Sequence, residues 1–280
     1  MTKIAKWLLL IGLCVVAAMG TDAYLSQKTE IKPVKQVQKA PKKAVPPPGK
    51  AEETQRWLTR ETPVKIPILM YHSISSGNSL RVPPTEFEQQ MQFLKEAGYY
   101  TLTPAELYQA FETNTVPAEK VVLITFDDGY TDNYTAALPV LERYGLASTV
   151  FMITGTTGKP NHLTIEQMKA MQQQQVTIES HTVNHQELNL LAKETQLTEM
   201  IDSKRFIKDE LDYDSIILSY PVGRYNDETL AAANTAGYKL AVTTEPGLAS
   251  KADGYYQLKR VRITPGLSIE GYRTLIENGL

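Results

Sequence analysis

Asp127 and Asp128 stand side by side at the end of the run Val121–Tyr130, VVLITFDDGY. Adjacent carboxylates repel each other, and a cation, or a proton held by one of them, relieves the repulsion. His181 and His185 are two of the four histidines in the chain and lie four positions apart in SHTVNH. If that segment turns as a helix does, both rings point to one side. Two imidazoles and one carboxylate make a three-ligand site with an open position, the arrangement of a catalytic zinc or similar ion. With Asp128 as the third ligand, Asp127 is left free to act as a base on a water that the ion activates. The plain alternative is an acidic turn, since Asp and Gly are common turn formers.

The elements that must position these groups can be read from apolar runs and breaker residues. Val121–Phe126 is a continuous apolar run ending at Asp-Asp-Gly, as a buried strand of a parallel sheet does. Ile66–Tyr71 ends at His72, Val176–Ser180 at His181, and Ser215–Tyr220 at Pro221. Further strands are expected at 99–102, 147–153, 238–243 and 258–263. Between them fall helical segments. One is Thr85–Gly98, with a capping box from Thr85 to Glu88. Another starts at Thr103, Pro104 and Glu106. A third is Asp132–Tyr144, kinked at Pro139, and Glu194–Leu211 is the longest. About eight strands alternating with helices predict an α/β chain folded as one closed or nearly closed (β/α) barrel. Every candidate reactive residue then falls at a strand's carboxyl end, the face where such barrels carry their sites.

Charge is unevenly placed along the 280 residues. Residues 1–50 hold nine Lys against Asp22 and Glu30, net +7, and the remainder is net −9. A globular part this acidic is a poor nucleic-acid binder. Lys3 and Lys6 precede the apolar stretch Trp7–Gly20, the pattern of an export signal or membrane anchor over residues 1–25. Residues 26–61, rich in Lys, Gln, Val and Pro, read as an extended basic linker without a core. The globular domain is expected over residues 62–280. The only cysteine, Cys14, lies in the apolar stretch, so the domain carries no thiol chemistry and no disulfide. The expected location is the outer face of the membrane, or outside the cell if the signal is cleaved.

TFDDG at 125–129 followed by SHTVNH at 180–185 resembles the NodB-like polysaccharide deacetylases, carbohydrate esterase family 4. The resemblance implies an irregular barrel of seven or eight β/α units and one divalent metal ion, zinc above all. It also implies removal of acetyl groups from an N-acetylated polysaccharide such as peptidoglycan or poly-N-acetylglucosamine. By the same resemblance Asp127 is the catalytic base, and Asp128, His181 and His185 hold the metal. The family's usual arginine, which steadies the base, is replaced by Ser219 in Ser219-Tyr220-Pro221-Val222-Gly223. Arg260, in LKRVRI, is the candidate substitute. The Val222 N–H is a candidate oxyanion donor, and Tyr130 and Tyr220 are candidate sugar contacts. Leu69-Met70-Tyr71-His72 resembles the circularly permuted branch, and there His72 is the general acid. His162 reads as a surface residue. A monomer is expected. The alternatives are a wall-attached carbohydrate-binding module that has lost catalysis, motivated by Ser219, and an O-acetyl esterase.

Overall fold

The computed structural model describes residues 57–280. The expected export segment and most of the linker lie outside the described residues. Leu58–Thr59 pairs antiparallel with Thr115–Val116. The Asn114 side chain accepts from Val64 N at 3.0 Å and donates to Arg60 O at 2.8 Å. The folded part therefore includes residues upstream of the expected start at Thr62. A two-residue pairing has no apolar period, so composition alone does not reveal it.

Eight parallel strands form the sheet: β1 (Ile68–Tyr71), β2 (Tyr100–Thr101), β3 (Val121–Phe126), β4 (Ser148–Met152), β5 (Val176–Ser180), β6 (Ile217–Ser219), β7 (Leu240–Pro246) and β8 (Leu258–Arg262). Seven of them close a ring in the order β1-β3-β4-β5-β6-β7-β8 and back to β1. Closure sets Val261 opposite Leu69 and Arg262 opposite Met70, so the first and last strands are neighbours. β2 stands beside the first half of β3 and does not join the ring. Its Thr101 hydroxyl accepts from Ala147 N at 2.7 Å, bridging the gap below the point where β3 and β4 pair.

Strand alternation sorts the core into two layers. Leu69, Tyr71, Val122, Ile124, Phe126, Val150 and Ile178 face outward and pack against helices. The helices of that layer are α1 (Pro84–Glu96), α3 (Leu138–Tyr144), α4 (Ile165–Gln172), α5 (Lys193–Leu211) and α7 (Ile269–Asn278). Against the far side of the ring lies α6 (Asp227–Thr235), whose Ala232 and Ala233 pack with Leu218 and Ala241. The opposite parity, Ile68, Val121, Leu123, Phe151, Ile217, Leu240, Val242 and Leu258, fills the ring. Leu107, Ala110 and Phe111 join this inner cluster from α2 (Pro104–Thr113). Continuing the inward parity upward gives Thr125 and Asp127 after Leu123, and Arg260 after Leu258. Apolar residues therefore occupy one level of the interior and polar ones the level at the strands' carboxyl ends.

Local details differ from expectation in two helices. The first begins at Pro84 with Pro83 as its cap, and no side chain caps it, so the Thr85–Glu88 capping box does not form. Proline preset at the first helical position starts the helix one residue early and leaves Thr85 inside it. In the segment around Pro139, a π-helical turn over Asn133–Ala137 precedes the α-helix. Proline lacks the N–H that would continue a regular ladder, and the wider turn absorbs that loss in place of a sharp kink.

One buried acid anchors the sheet below the site. Glu179 on β5 accepts from Tyr213 OH and Ser215 OH at 2.6 Å, from Ile216 N at 2.8 Å and from Ile217 N at 3.2 Å. Burial pushes its carboxyl up to about 7, against the pull of those four donors.

Candidate active site

Asp127 follows β3 on the inward parity and is 2 % exposed. A bare carboxylate there would be expensive. Arg260, on β8 and fully buried, meets it in a bidentate fork, 2.8 Å to Oδ1 and 2.7 Å to Oδ2. The guanidinium also donates from Nε to Thr243 O at 2.7 Å and to Ser219 Oγ at 3.1 Å. Ser219 thus leaves room for an arginine arriving from another strand and serves as one of its acceptors. Burial pushes the Asp127 carboxyl up, but Arg260, with His181 and His72, outweighs it and holds the pKa well below the usual carboxylate range.

Asp128 adopts φ 74°, which turns its side chain away from that of Asp127. Its Oδ1 lies 3.5 Å from His181 Nε2 and 3.6 Å from His185 Nε2. Gly129 completes the turn at φ 75°, where an added Cβ would fall 2.1 Å from Met152 Sδ. The bend therefore needs glycine on both counts.

His181 follows β5 and is 1 % exposed. Its Nδ1 donates to Ser219 O at 2.7 Å, which fixes the tautomer and leaves the Nε2 lone pair facing Asp128. Burial lowers its pKa against the pull of Asp127 and Asp128, so the ring is neutral and ready to ligate. His185 meets it edge-on, ring centroids 4.7 Å apart. The convergence does not come from a helical turn. Thr182 and His185 both have positive φ, 63° and 54°, and the chain doubles back between them, with His185 N donating to Thr182 Oγ1 at 3.2 Å.

The three ligand atoms of Asp128, His181 and His185 lie within 4.8 Å of one another. Separations of 3.5–3.6 Å are too long for hydrogen bonds. They suit donors that share one ion through bonds of about 2.0–2.2 Å. The two imidazoles and one carboxylate, with one imidazole already held in the ligating tautomer, fit a divalent metal and leave positions open for water and substrate.

His72 follows β1, and its Nε2 lies 3.9 Å from Asp127 Oδ2. Asn133 Nδ2 donates to His72 O at 2.8 Å, and Asp132 accepts from Ser73 Oγ at 2.5 Å and Ile74 N at 3.0 Å. The turn that opens the helix after Tyr130 therefore holds the His72 loop. Burial lowers the His72 pKa to about 4, with Asp127 opposing and Arg260 and Arg262 assisting.

Val222 lies in the turn Pro221–Gly223 after β6, at φ 50°, and is 49 % exposed. Tyr130 is half-buried and stacks on His162 with ring centroids 5.5 Å apart. Burial and the adjacent Asp128 carboxylate raise its pKa. His162, expected as a surface residue, is half-buried and has Tyr130 as its stacking partner. Tyr220 is a correction. It is fully buried, packed among Leu218, Ala232 and Ala241 and stacked under Tyr225. It follows Ser219, whose parity faces inward, so its own ring faces the helices and is closed to a sugar.

Sequence reasoning missed the groups that hold the loops. Glu199 on α5 accepts from Val183 N, Asn184 N and Asn184 Nδ2. Thr154 and Gly155 donate from their backbone to Thr182 O and Val183 O. Glu199, Asp132 and Asn133 are polar residues in helical turns, and nothing in their spacing separates them from a solvated face.

A model of the family described as polysaccharide deacetylase matches residues 114–241, which span β3 to β7. The candidate polysaccharide deacetylase YxkH of Bacillus subtilis (strain 168) is 48% identical over 278 residues, 99% of each chain. The deacetylase PplD of Streptococcus pyogenes, solved in complex with acetate, superposes with a TM-score of 0.75 at 44% identity, covering 77% of this chain and 99% of that one. A poly-beta-1,6-N-acetyl-D-glucosamine N-deacetylase of Staphylococcus aureus is 23% identical over 211 residues, 70% of this chain and 72% of its own. The barrel, the Asp-His-His cluster at its carboxyl ends and a near-full-length match at 48% identity to such a relative agree: the chain belongs to the polysaccharide deacetylase family, carbohydrate esterase family 4.

Proposed function

We propose that the protein is a metal-dependent hydrolase that removes N-acetyl groups from an N-acetylglucosamine-containing polysaccharide outside the cell. The observation that carries this reading is the pairing of two differently held carboxylates. Asp127 is locked by Arg260, and Asp128 is shared with His181 and His185. Asp128, His181 and His185 would hold the ion, with Zn2+ as the first choice for an N2O donor set. When bound, the metal supplies a Lewis acid that polarises the acetyl carbonyl and acidifies a water.

The rest of the chemistry belongs to the chain. Asp127 is the base. Arg260 uses one lone pair on each oxygen, and Oδ2 retains another for a water proton. As the water attacks the acetyl carbon, Asp127 takes its proton and the carbonyl oxygen gains charge. The Val222 backbone N–H is the proposed donor to that oxygen. The C–N bond then breaks, His72 protonates the departing nitrogen, and acetate and a free amine result. His72 is neutral in the resting site near pH 7, so the proton that Asp127 takes from the water passes to His72 Nε2 and from there to the departing nitrogen, leaving both residues as they began. The 3.9 Å between its Nε2 and Asp127 Oδ2 leaves room for a water or the substrate's own nitrogen between acid and base. Tyr130 and His162 supply a flat wall for a sugar ring.

Acetate bound to PplD supports acetate as the product here. The basic sequence of residues 1–50 supports a position at an anionic surface outside the membrane. The test is acetate release from chitooligosaccharides, peptidoglycan fragments and acetylxylan. A free amine on the glycan, found by mass spectrometry, is the expected product. Asp128→Ala and His181→Ala should each lose both bound metal and acetate release, and full activity in either would sink the proposal. Hydrolysis of acetylxylan alone would favour the O-acetyl reading.

A further inference from the structure

We infer that Glu199 is a positioning residue for the metal centre: it fixes the loop 182–185 in the one conformation that brings His185 beside His181. The inference rests on the metal reading above and goes beyond it, to a residue that touches neither ion nor substrate.

The loop between the two histidines is locally unfavourable. Thr182 and His185 both hold left-handed backbone conformations, φ 63° and 54°, and Thr182 is β-branched. Such conformations persist only where the surroundings determine them. Two clamps do so here, from opposite sides. On the carbonyl side, Thr154 N donates to Thr182 O at 3.1 Å and Gly155 N to Val183 O at 2.9 Å. Gly155 allows that approach, because a Cβ there would lie 2.5 Å from Val183 O. On the amide side the acceptor is Glu199. Its Oε2 takes Val183 N at 3.0 Å and Asn184 N at 2.8 Å, and its Oε1 takes Asn184 Nδ2 at 2.6 Å.

Glu199 is 6 % exposed and sits in a column of buried polar residues on α5. One turn before it, Gln196 donates to Leu191 O at 3.0 Å and accepts from Thr229 Oγ1 at 2.6 Å. One turn after it, Ser203 accepts from Ser180 Oγ at 2.8 Å, and Ser180 Oγ in turn accepts from Thr182 N at 3.2 Å. Residues 196, 199 and 203 recur at helical spacing on one face. Glu199 and Ser203 on that face meet the segment carrying the two histidines, and Gln196 ties the helix to Leu191 and Thr229 beside it. A helix face that served packing alone would present apolar side chains there. This one presents an acceptor to the backbone between His181 and His185, through Glu199, and another to the Ser180 hydroxyl just before His181, through Ser203.

Without Glu199 the amides of Val183 and Asn184 lose their acceptor, and the ties to Thr154, Gly155 and Ser180 are left to oppose relaxation of the positive-φ residues. His181 keeps its place, because Ser219 O and β5 hold it independently. His185 does not, since its own backbone tie runs through the Thr182 hydroxyl inside the weakened loop. The consequence is weaker metal binding in a folded protein. Groups that orient metal ligands from outside typically change affinity by about 10–100-fold when removed.

The experiment is a Zn2+ titration of chelator-stripped protein against a competing chromophoric chelator, at 25 °C and pH 7.5, with thermal unfolding of the same stripped samples alongside. Glu199→Ala should weaken Zn2+ binding about 10–100-fold while the stripped protein still unfolds cooperatively. Glu199→Gln keeps a carbonyl oxygen for both backbone amides, and the Asn184 amide can turn to meet its NH2, so binding should return to within about threefold of wild type. Asn184→Ala, which removes one side-chain bond and leaves both backbone bonds, should fall between these. A Zn2+ constant in Glu199→Ala within twofold of wild type overturns the inference. So does a loss in Glu199→Gln as large as in Glu199→Ala. Should Glu199→Ala fail to fold, the order of Glu199→Gln and Asn184→Ala decides alone, and equal affinity of both with wild type is the overturning result. Wild-type protein that takes up no Zn2+ overturns the metal reading itself, and the inference with it.

Discussion

The division of labour between Asp127 and Asp128 is a matter of single side chains. One carboxylate is neutralised by a buried guanidinium, the other faces two imidazoles. Removing Arg260 leaves Asp127 buried and unpaired, so Arg260→Met should destabilise the protein by about 3–5 kcal/mol, read from urea unfolding. The double variant Asp127→Asn/Arg260→Met should recover part of that loss, and no recovery would mean the pair is not the source. His72 makes a prediction about pH. Its folded pKa of about 4 lies below the unfolded value near 6.5. The unfolded chain therefore binds the proton first on acidification. The stability tied to a neutral His72 is complete above pH 6.5 and is lost as pH falls toward 4. Two and a half pH units correspond to roughly 3 kcal/mol. His72→Gln should have a shallower stability-against-pH slope than wild type between pH 6.5 and 4, measured on chelator-stripped protein. Parallel slopes would remove His72 from the account.

Strands deliver the chemistry, and loops and helices hold it still. His72, Asp127, His181 and Val222 come just after four different strands of one ring, and Arg260 lies on a fifth. Glu179 is the clearest element-scale tie, since it fixes the start of β6 from β5 through two backbone amides and two hydroxyls. Glu179→Ala strands those amides without an acceptor, and a loss on the order of 3 kcal/mol is expected. The loss should be visible as a lower thermal midpoint and faster amide exchange at Ile216 and Ile217. Unchanged exchange there would show that the anchor is not needed. At this scale the sequence was partly legible. The continuous apolar run Val121–Phe126 placed Asp127 at a strand's carboxyl end, because so apolar a run bounded by Asp-Asp-Gly leaves little freedom. The convergence of His181 and His185 was right for a reason other than the one expected. Positive-φ turns and outside clamps, not helical spacing, bring the rings together. Glu199 was illegible because a glutamate on a polar helix face looks the same whether it meets water or a buried amide.

Within residues 57–280 the sheet is a ring closed between β1 and β8, and closure makes a single site from residues nearly 190 positions apart, His72 and Arg260. Residues 57–61 belong to this body through the Leu58–Thr59 pairing and through Arg60, which donates to Glu119 Oε2 at 2.6 Å and Glu119 O at 2.8 Å. A chain starting at Trp57 should therefore melt a few degrees above one starting at Pro63, with both releasing acetate from soluble chitooligosaccharides. Equal midpoints would return the boundary to Thr62. The sequence by itself determined the kinds of chemical groups, their order along the chain and the strand period that faces them inward. These are local properties, fixed by residue type and spacing. Only the tertiary structure decided which partners meet. Arg260 on one strand meets Asp127 after a second and Ser219 on a third. The sequence offered Arg260 only as a candidate, and the closed ring decides the contact, because distance through space between β6 and β8 is set by the sheet and not by the chain.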